Sequence, residues 1–122
     1  FTDTTGVHMK TLLILNDPPY GTERSFNGLR LARALAGKDA EVNLFLMADA
    51  VACAKAGQKL PSGYYNLELM LKSVARRGTV LLCGTCMDAR GLNDEELVEG
   101  TRRSTLDELS ELTLAADKVL VF

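Results

Sequence analysis

Two cysteines three positions apart, Cys83-Gly84-Thr85-Cys86, are followed at once by Met87-Asp88-Ala89-Arg90-Gly91. The apolar run Thr79–Cys83 ahead of them reads as a buried strand, and the residues after it as a turn and the start of a helix. A thiol in a first helical turn faces unpaired backbone N–H groups and the positive end of the helix dipole, both of which favour thiolate over thiol. Arg90 adds a positive charge able to stabilise a thiolate, a persulfide or an oxyanion. The chemistry this spacing predicts is nucleophilic sulfur chemistry at Cys83 or Cys86. The competing reading is that both thiols are packing residues, because free cysteine is among the most buried residue types. A zinc site would need half its tetrahedral shell from carboxylates or another subunit. Dithiol exchange of the thioredoxin type usually places its pair earlier, before a long helix and without the Ala-Arg-Gly found here. Cys53, between Ala52 and Ala54, reads as core.

A second group with chemical potential is Asn16-Asp17-Pro18-Pro19-Tyr20-Gly21, which offers an amide, a carboxylate and a phenol at the end of an apolar run. As simple turn chemistry, Asp17 would satisfy local N–H groups; as a binding loop, Asn16, Asp17 and Tyr20 would line a crevice with Arg90. No G-x-G-x-x-G follows the first apolar run and no G-x-x-x-x-G-K-[ST] occurs, so neither type of nucleotide site is supported and no cofactor is implied.

The elements that position these residues follow from period. Lys10–Asn16, Glu41–Met47 and Thr79–Cys83 are short apolar blocks suited to strands buried on both faces. Glu23–Ala36 is an amphipathic helix stopped by Gly37, and Ala48–Ala56 an Ala-rich helix stopped by Gly57. After a loop over Gln58–Tyr65, Asn66 is positioned to cap a helix over Leu67–Arg77. Asn93–Glu96 is an acidic helical turn, and Leu97–Arg102 is either a short fourth strand or an extended connection. Thr105–Ala116 is a helix with Ser104 or Thr105 as cap, Glu108 completing a capping box, and a stripe of Leu106, Leu109, Leu112 and Ala116. Lys118–Phe122 closes the chain as a strand. Alternation of doubly buried strands with helices predicts an α/β fold: three α/β/α layers around a mostly parallel sheet of four or five strands. In such sheets the crevice lies at the carboxyl ends of the strands, which selects Asn16–Gly21, Ala48–Asp49 and Cys83–Gly91.

The 122 residues carry a net charge of −2 and 47% hydrophobic residues, with a mean hydropathy of +0.04, which fits one domain able to bury its own core. The basic residues are scattered along the chain, so nucleic acid and anionic membrane are not expected partners. No apolar run approaches the roughly 18 residues of a spanning helix and no signal peptide follows Met9, so a cytoplasmic protein is expected. Three cysteines, an odd number, read as thiols in a reducing compartment. Phe1–His8 reads as a vector-derived leader before a natural start at Met9, with residues 9–122 as the domain. His8 is the only histidine, so on that reading imidazole proton transfer is unavailable.

Cys83–Gly91, together with Asn16–Gly21, Gly28-Leu-Arg-Leu-Ala32, Gly63-Tyr-Tyr-Asn-Leu67 and Ala116–Phe122, resembles the DsrE/DsrF-like family in its single-domain branch. The resemblance spans nearly all of residues 9–122. It implies a cytoplasmic α/β/α protein that assembles with copies of itself, as a trimer or hexamer, and meets protein donors and acceptors of sulfur. In the family's sulfur-relay members one cysteine carries sulfur as a persulfide, and the matching position is Cys83, eight residues before Gly91. Cys86 is then a resolving thiol or itself the nucleophile. Two other readings stand beside this one: a non-catalytic oligomeric module that binds a small ligand, and a thiol–disulfide switch of Cys83 and Cys86.

Overall fold

The computed structural model describes residues 9–122; the expected leader, with His8, lies outside the described residues. Five strands, β1 (Lys10–Leu15), β2 (Glu41–Leu46), β3 (Thr79–Cys83), β4 (Thr101–Ser104) and β5 (Lys118–Val121), form one sheet in the order β4-β3-β2-β1-β5. All four pairings are parallel. The stretch after the acidic turn resolves into a bridge to Lys55 at Leu97, a turn closed by the Thr101 N–H on the Val98 carbonyl at 3.2 Å, and a strand that starts later than expected, at Thr101.

Helices α1 (Arg24–Ala36), α2 (Leu67–Arg77), α3 (Gly84–Ala89) and α4 (Leu106–Ala115) complete the layers. The Ala-rich segment forms a 3-10 helix over Ala48–Ala54 rather than an α-helix to Ala56. Asn66 caps α2 as expected, its side chain accepting the Leu69 N–H at 3.2 Å. Thr105, not Ser104, caps α4 by accepting the Glu108 N–H at 3.1 Å. The capping box is only half formed, because the Glu108 carboxylate turns away to Arg102 and to the Ser104 hydroxyl, stronger partners than a backbone amide.

From β1 to β4 the chain advances stepwise across the sheet, so right-handed crossovers keep α1, α2 and α3 on one face. The return from β4 to β5 crosses in the opposite direction, and the same handedness sends α4 to the other face. The first face holds the larger core, including Leu13, Leu29, Leu44, Leu71, Leu82 and Met87. The second holds only Leu12, Phe45, Leu81, Cys83 and Leu109 as buried residues. A single ten-residue helix covers that face incompletely. Of the expected α4 stripe Leu109 is buried, whereas Leu106 is 66% exposed and Leu114, outside the stripe, 89%.

Candidate functional site

The crossovers from β3 and β4 leave these neighbouring strands toward opposite faces, so the carboxyl ends of this pair are the switch point of the topology, the position where parallel sheets place their ligands. Cys83 and Ser104 are register partners there. Cys83 is the last residue of β3 and the N-cap of α3, and its Sγ accepts the Cys86 N–H at 3.4 Å. Its side chain turns to the α4 face beside Leu81, while Cys86 packs partly against both cores and stays half-exposed.

The expectation of a helix-start thiolate is corrected at Cys83. Its thiol is pushed above its ordinary value, first by burial and then by the neighbouring Cys86 side chain. The N–H groups of Cys86 and Thr85 pull the other way and offset this only in part. The physical reason is that the last strand residue is drawn into the apolar α4 layer, leaving Cys83 8% exposed, before the helix can present it to solvent.

Arg90 is likewise turned from the thiols. Its Nε and Nη2 meet Asp49 Oδ1 at 3.0 and 2.9 Å, and its Nη1 donates to the Cys86 carbonyl at 3.1 Å. It therefore ties the β2 end to α3 with its charge compensated by Asp49, and it borders a small 120 Å³ hollow with Lys55, Leu92 and Glu96.

The Asn16–Gly21 loop serves its own architecture. Asn16 Nδ2 donates to the Phe122 carbonyl at 3.2 Å, fixing the chain end beside β1. Asp17 Oδ2 accepts from the Thr22 hydroxyl at 2.7 Å, and the Asp17 carbonyl accepts from Ser25 at 2.7 Å. Tyr20 bonds Gln58 through its hydroxyl, which also accepts the Leu67 N–H at 3.1 Å. The structure thus brings Cys83 and Cys86 together, and Arg90 to the Cys86 backbone, but the hydrogen bonds of Asn16, Asp17 and Tyr20 go to other residues. Asp49 and Asp88 are held separately, by Arg90 and Arg103.

Sequence reasoning missed Arg103 and the strand role of Ser104. Arg103 donates from Nη1 to the Gly84 carbonyl at 3.1 Å and to Asp88 at 3.0 Å, and from Nε to Asp94 at 2.8 Å. It lies so close over Gly84 that a Cβ there would sit 3.0 Å from Nη1. Thr-Arg-Arg-Ser has no apolar pattern, so only strand pairing places these side chains beside Cys83. Glu108, held by Arg102 through 3.0 and 2.8 Å contacts and by Ser104, has its carboxyl lowered to about 2 by those partners.

Cys53 is core, as expected. Burial pushes its thiol up to about 12, and Sγ faces the Asp17 carbonyl at 3.9 Å. In brief alkylation of the native protein, Cys86 is expected to label first, Cys83 more slowly, and Cys53 only after denaturant is added. Peptide mass mapping reads the order, and early labelling of Cys53 would contradict its burial.

The comparisons with known proteins agree with this fold. The chain is 45% identical over 116 residues to Protein YchN of Escherichia coli K12, covering 93% of this chain and 98% of that protein. It is 37% identical over 115 residues to protein MJ0989 of Methanocaldococcus jannaschii, covering 93% and 100%. The crystal structure of the Escherichia coli ychN protein superposes with a TM-score of 0.88 at 44% identity, over 93% of this chain and 99% of that one. A protein from Methanobacterium thermoautotrophicum, MTH1491, shares the fold at 11% identity with a TM-score of 0.74, over 95% and 100%. With a family model matched over residues 9–122, the whole described chain, this protein belongs to the DsrE/DsrF-like family.

Proposed function

We propose that the chain carries sulfane sulfur as a persulfide on Cys83. The observation that carries this reading is the placement of Cys83 at the carboxyl end of β3, in register with Ser104 where β3 and β4 part, with Cys86 as its hydrogen-bonded neighbour. Family membership, with its association with sulfur relay, supports it. The Cys83 thiolate attacks the outer sulfur of a donor persulfide; a new S–S bond forms at Cys83, the donor S–S bond breaks, and the donor leaves as a thiolate. An acceptor thiolate then attacks the outer sulfur on Cys83, which departs as a thiolate again. Neither step needs an imidazole.

The test is intact mass after incubation with a sulfane-sulfur donor. One extra sulfur per chain, removed by a reducing thiol, is expected; an unchanged mass would remove the proposal. The thiol–disulfide switch is favoured by one observation, the hydrogen bond from the Cys86 N–H to Cys83 Sγ at 3.4 Å, which sets the two cysteines side by side. Its signature in the same measurement is loss of two hydrogens that requires both cysteines. The small-ligand reading loses support because Asn16, Asp17 and Tyr20 are committed to loop and chain-end bonds.

Self-association belongs to the same reading. Tyr64 and Leu69 are exposed while Tyr65, Leu67 and Met70 are packed; Leu106, Leu114, Val119 and Val121 add exposed apolar surface on α4 and β5. A second copy set against α4 would complete the thin side of the core. Light scattering at micromolar concentration is expected to show an assembly larger than a monomer, trimer or hexamer, and Leu114→Glu to shift it toward monomer. A monomer in the unsubstituted protein would refute this.

A further inference from the structure

The eight arginines divide into two sets. Arg24, Arg90, Arg102 and Arg103 each pair with a carboxylate. Arg30, Arg33, Arg76 and Arg77 form no ion pair with a described carboxylate, and all four line one groove of about 630 Å³ between α1 and α2. Ser73 and two alanines complete the lining, so among the described residues every charged group facing the groove is a guanidinium. Arg30 is braced by Asn27 Oδ1 at 3.2 Å and by the Phe26 ring, 5.6 Å from its centroid.

This groove is separate from the thiols. In parallel layers the helices run against the strands, so the last turns of α1 and α2 lie at the amino edge of the sheet, where Arg77 precedes β3; Cys83 lies at the carboxyl edge. Helix dipoles explain part of the arrangement, since Arg33, Arg76 and Arg77 stand in last turns. Two helix ends supply only about one negative charge between them, against four positive groups. Arg30 lies a turn further back and gains little from the dipole. Asp39 and Glu41 share an adjoining hollow with Arg77, which leaves the other three arginines facing the groove without an acidic lining residue.

We propose that this groove binds a small ligand bearing two adjacent phosphoryl groups. Guanidinium forks match phosphoryl oxygens in paired hydrogen bonds. One phosphate occupies about two forks; a diphosphate reaches arginines on both helices, with the Ser73 hydroxyl as a further donor. The volume lies within the roughly 300–1,000 Å³ typical of small-molecule sites. Among the described residues no aromatic side chain lines the groove to stack a base, so the diphosphate itself is the recognised group. The whole chain carries a net charge of −2 with these four arginines included, so the surface around the patch is net acidic, which disfavours a longer polyanion.

Calorimetric titration of the full chain with inorganic pyrophosphate tests this, with inorganic phosphate and ADP as parallel arms. Saturable pyrophosphate binding is expected, at least about tenfold tighter than phosphate, and weakening as salt rises. Arg33→Ala and Arg76→Ala, one on each helix, should each weaken it about tenfold or more, and Arg76→Lys by less because charge remains while the fork is lost. These side chains are exposed, and unchanged thermal melting will show that the variants fold. ADP binding as tightly as pyrophosphate identifies a diphosphate within a larger molecule; exclusion of ADP identifies free pyrophosphate. Absence of saturable pyrophosphate binding up to about 1 mM, equal affinity for phosphate, or affinity unchanged in both alanine variants would overturn the proposal.

Discussion

A Cys83→Ser variant incubated with a sulfane-sulfur donor is expected to gain no sulfur, its loading rate falling by at least ~1,000-fold, because a serine hydroxyl in place of the thiol has no accessible anion to attack with. Cys86→Ala should behave oppositely. The Cys86 backbone N–H that meets Cys83 Sγ at 3.4 Å survives the substitution, while the Cys86 thiol, one of the groups that raise the Cys83 pKa, is removed. Loading near neutral pH should therefore be retained or rise a few-fold. The pH dependence follows with its sign. Only the thiolate attacks and the Cys83 pKa is raised, so below that pKa the rate climbs about tenfold per pH unit and continues to climb beyond the ordinary thiol range. Stopped aliquots read by intact mass give both results. Loading that persists in Cys83→Ser and disappears in Cys86→Ala would assign the nucleophile to Cys86, the more exposed thiol.

The largest stability effect is expected at Gly78. It joins α2 to β3, donates its N–H to the Val74 carbonyl at 2.8 Å, and passes so near β2 that a Cβ would meet the Val42 carbonyl oxygen, a backbone atom, without room. Gly78→Ala must displace either the helix end or the central strand, at about 3 kcal/mol, which for a domain of this size lowers Tm by about 10 °C. Gly37→Ala is the matched control. That residue has helical φ of −69° and its nearest non-neighbour atom would be 3.4 Å from the new Cβ. Its cost should stay below about 1 kcal/mol, with stabilisation within range because alanine restricts the unfolded chain. Thermal unfolding followed by circular dichroism decides between them, and a Gly78→Ala shift no larger than the control's would mean that β2 yields freely.

Much of this architecture was legible because the strands buried on both faces and the helices buried on one write their periods directly into the chain. Leu67–Arg77 and Thr79–Cys83 form where the sequence places them, to the residue. The bounds of β4 were not legible, and the strand offered over Leu97–Arg102 forms instead at Thr101–Ser104, since an edge strand reading Thr-Arg-Arg-Ser buries only Ser104 and has no alternation to detect. The Ala48–Ala54 segment has helical composition, yet it takes 3-10 geometry with Ala50, Val51, Cys53 and Ala54 buried against the sheet. At the thiol pair, residue type and spacing named the right strand end and the N-cap role. They could not supply burial, which raises the Cys83 pKa where the helix start alone would lower it.

By itself the sequence determined the α/β class, the parallel strands and the location of the cysteine pair, because these depend on local period and on which residues end each element. Tertiary structure decided which charges meet. Asp49, far from Arg90 in the chain, neutralises it, and Arg103 crosses from β4 to hold Gly84. Basic residues that are scattered in the sequence are gathered, four of them, into one groove by the packing of α1 on α2. The physical reason is range: hydrophobic period acts over neighbouring turns, whereas desolvation and Coulomb interactions depend on distances that only the assembled layers set.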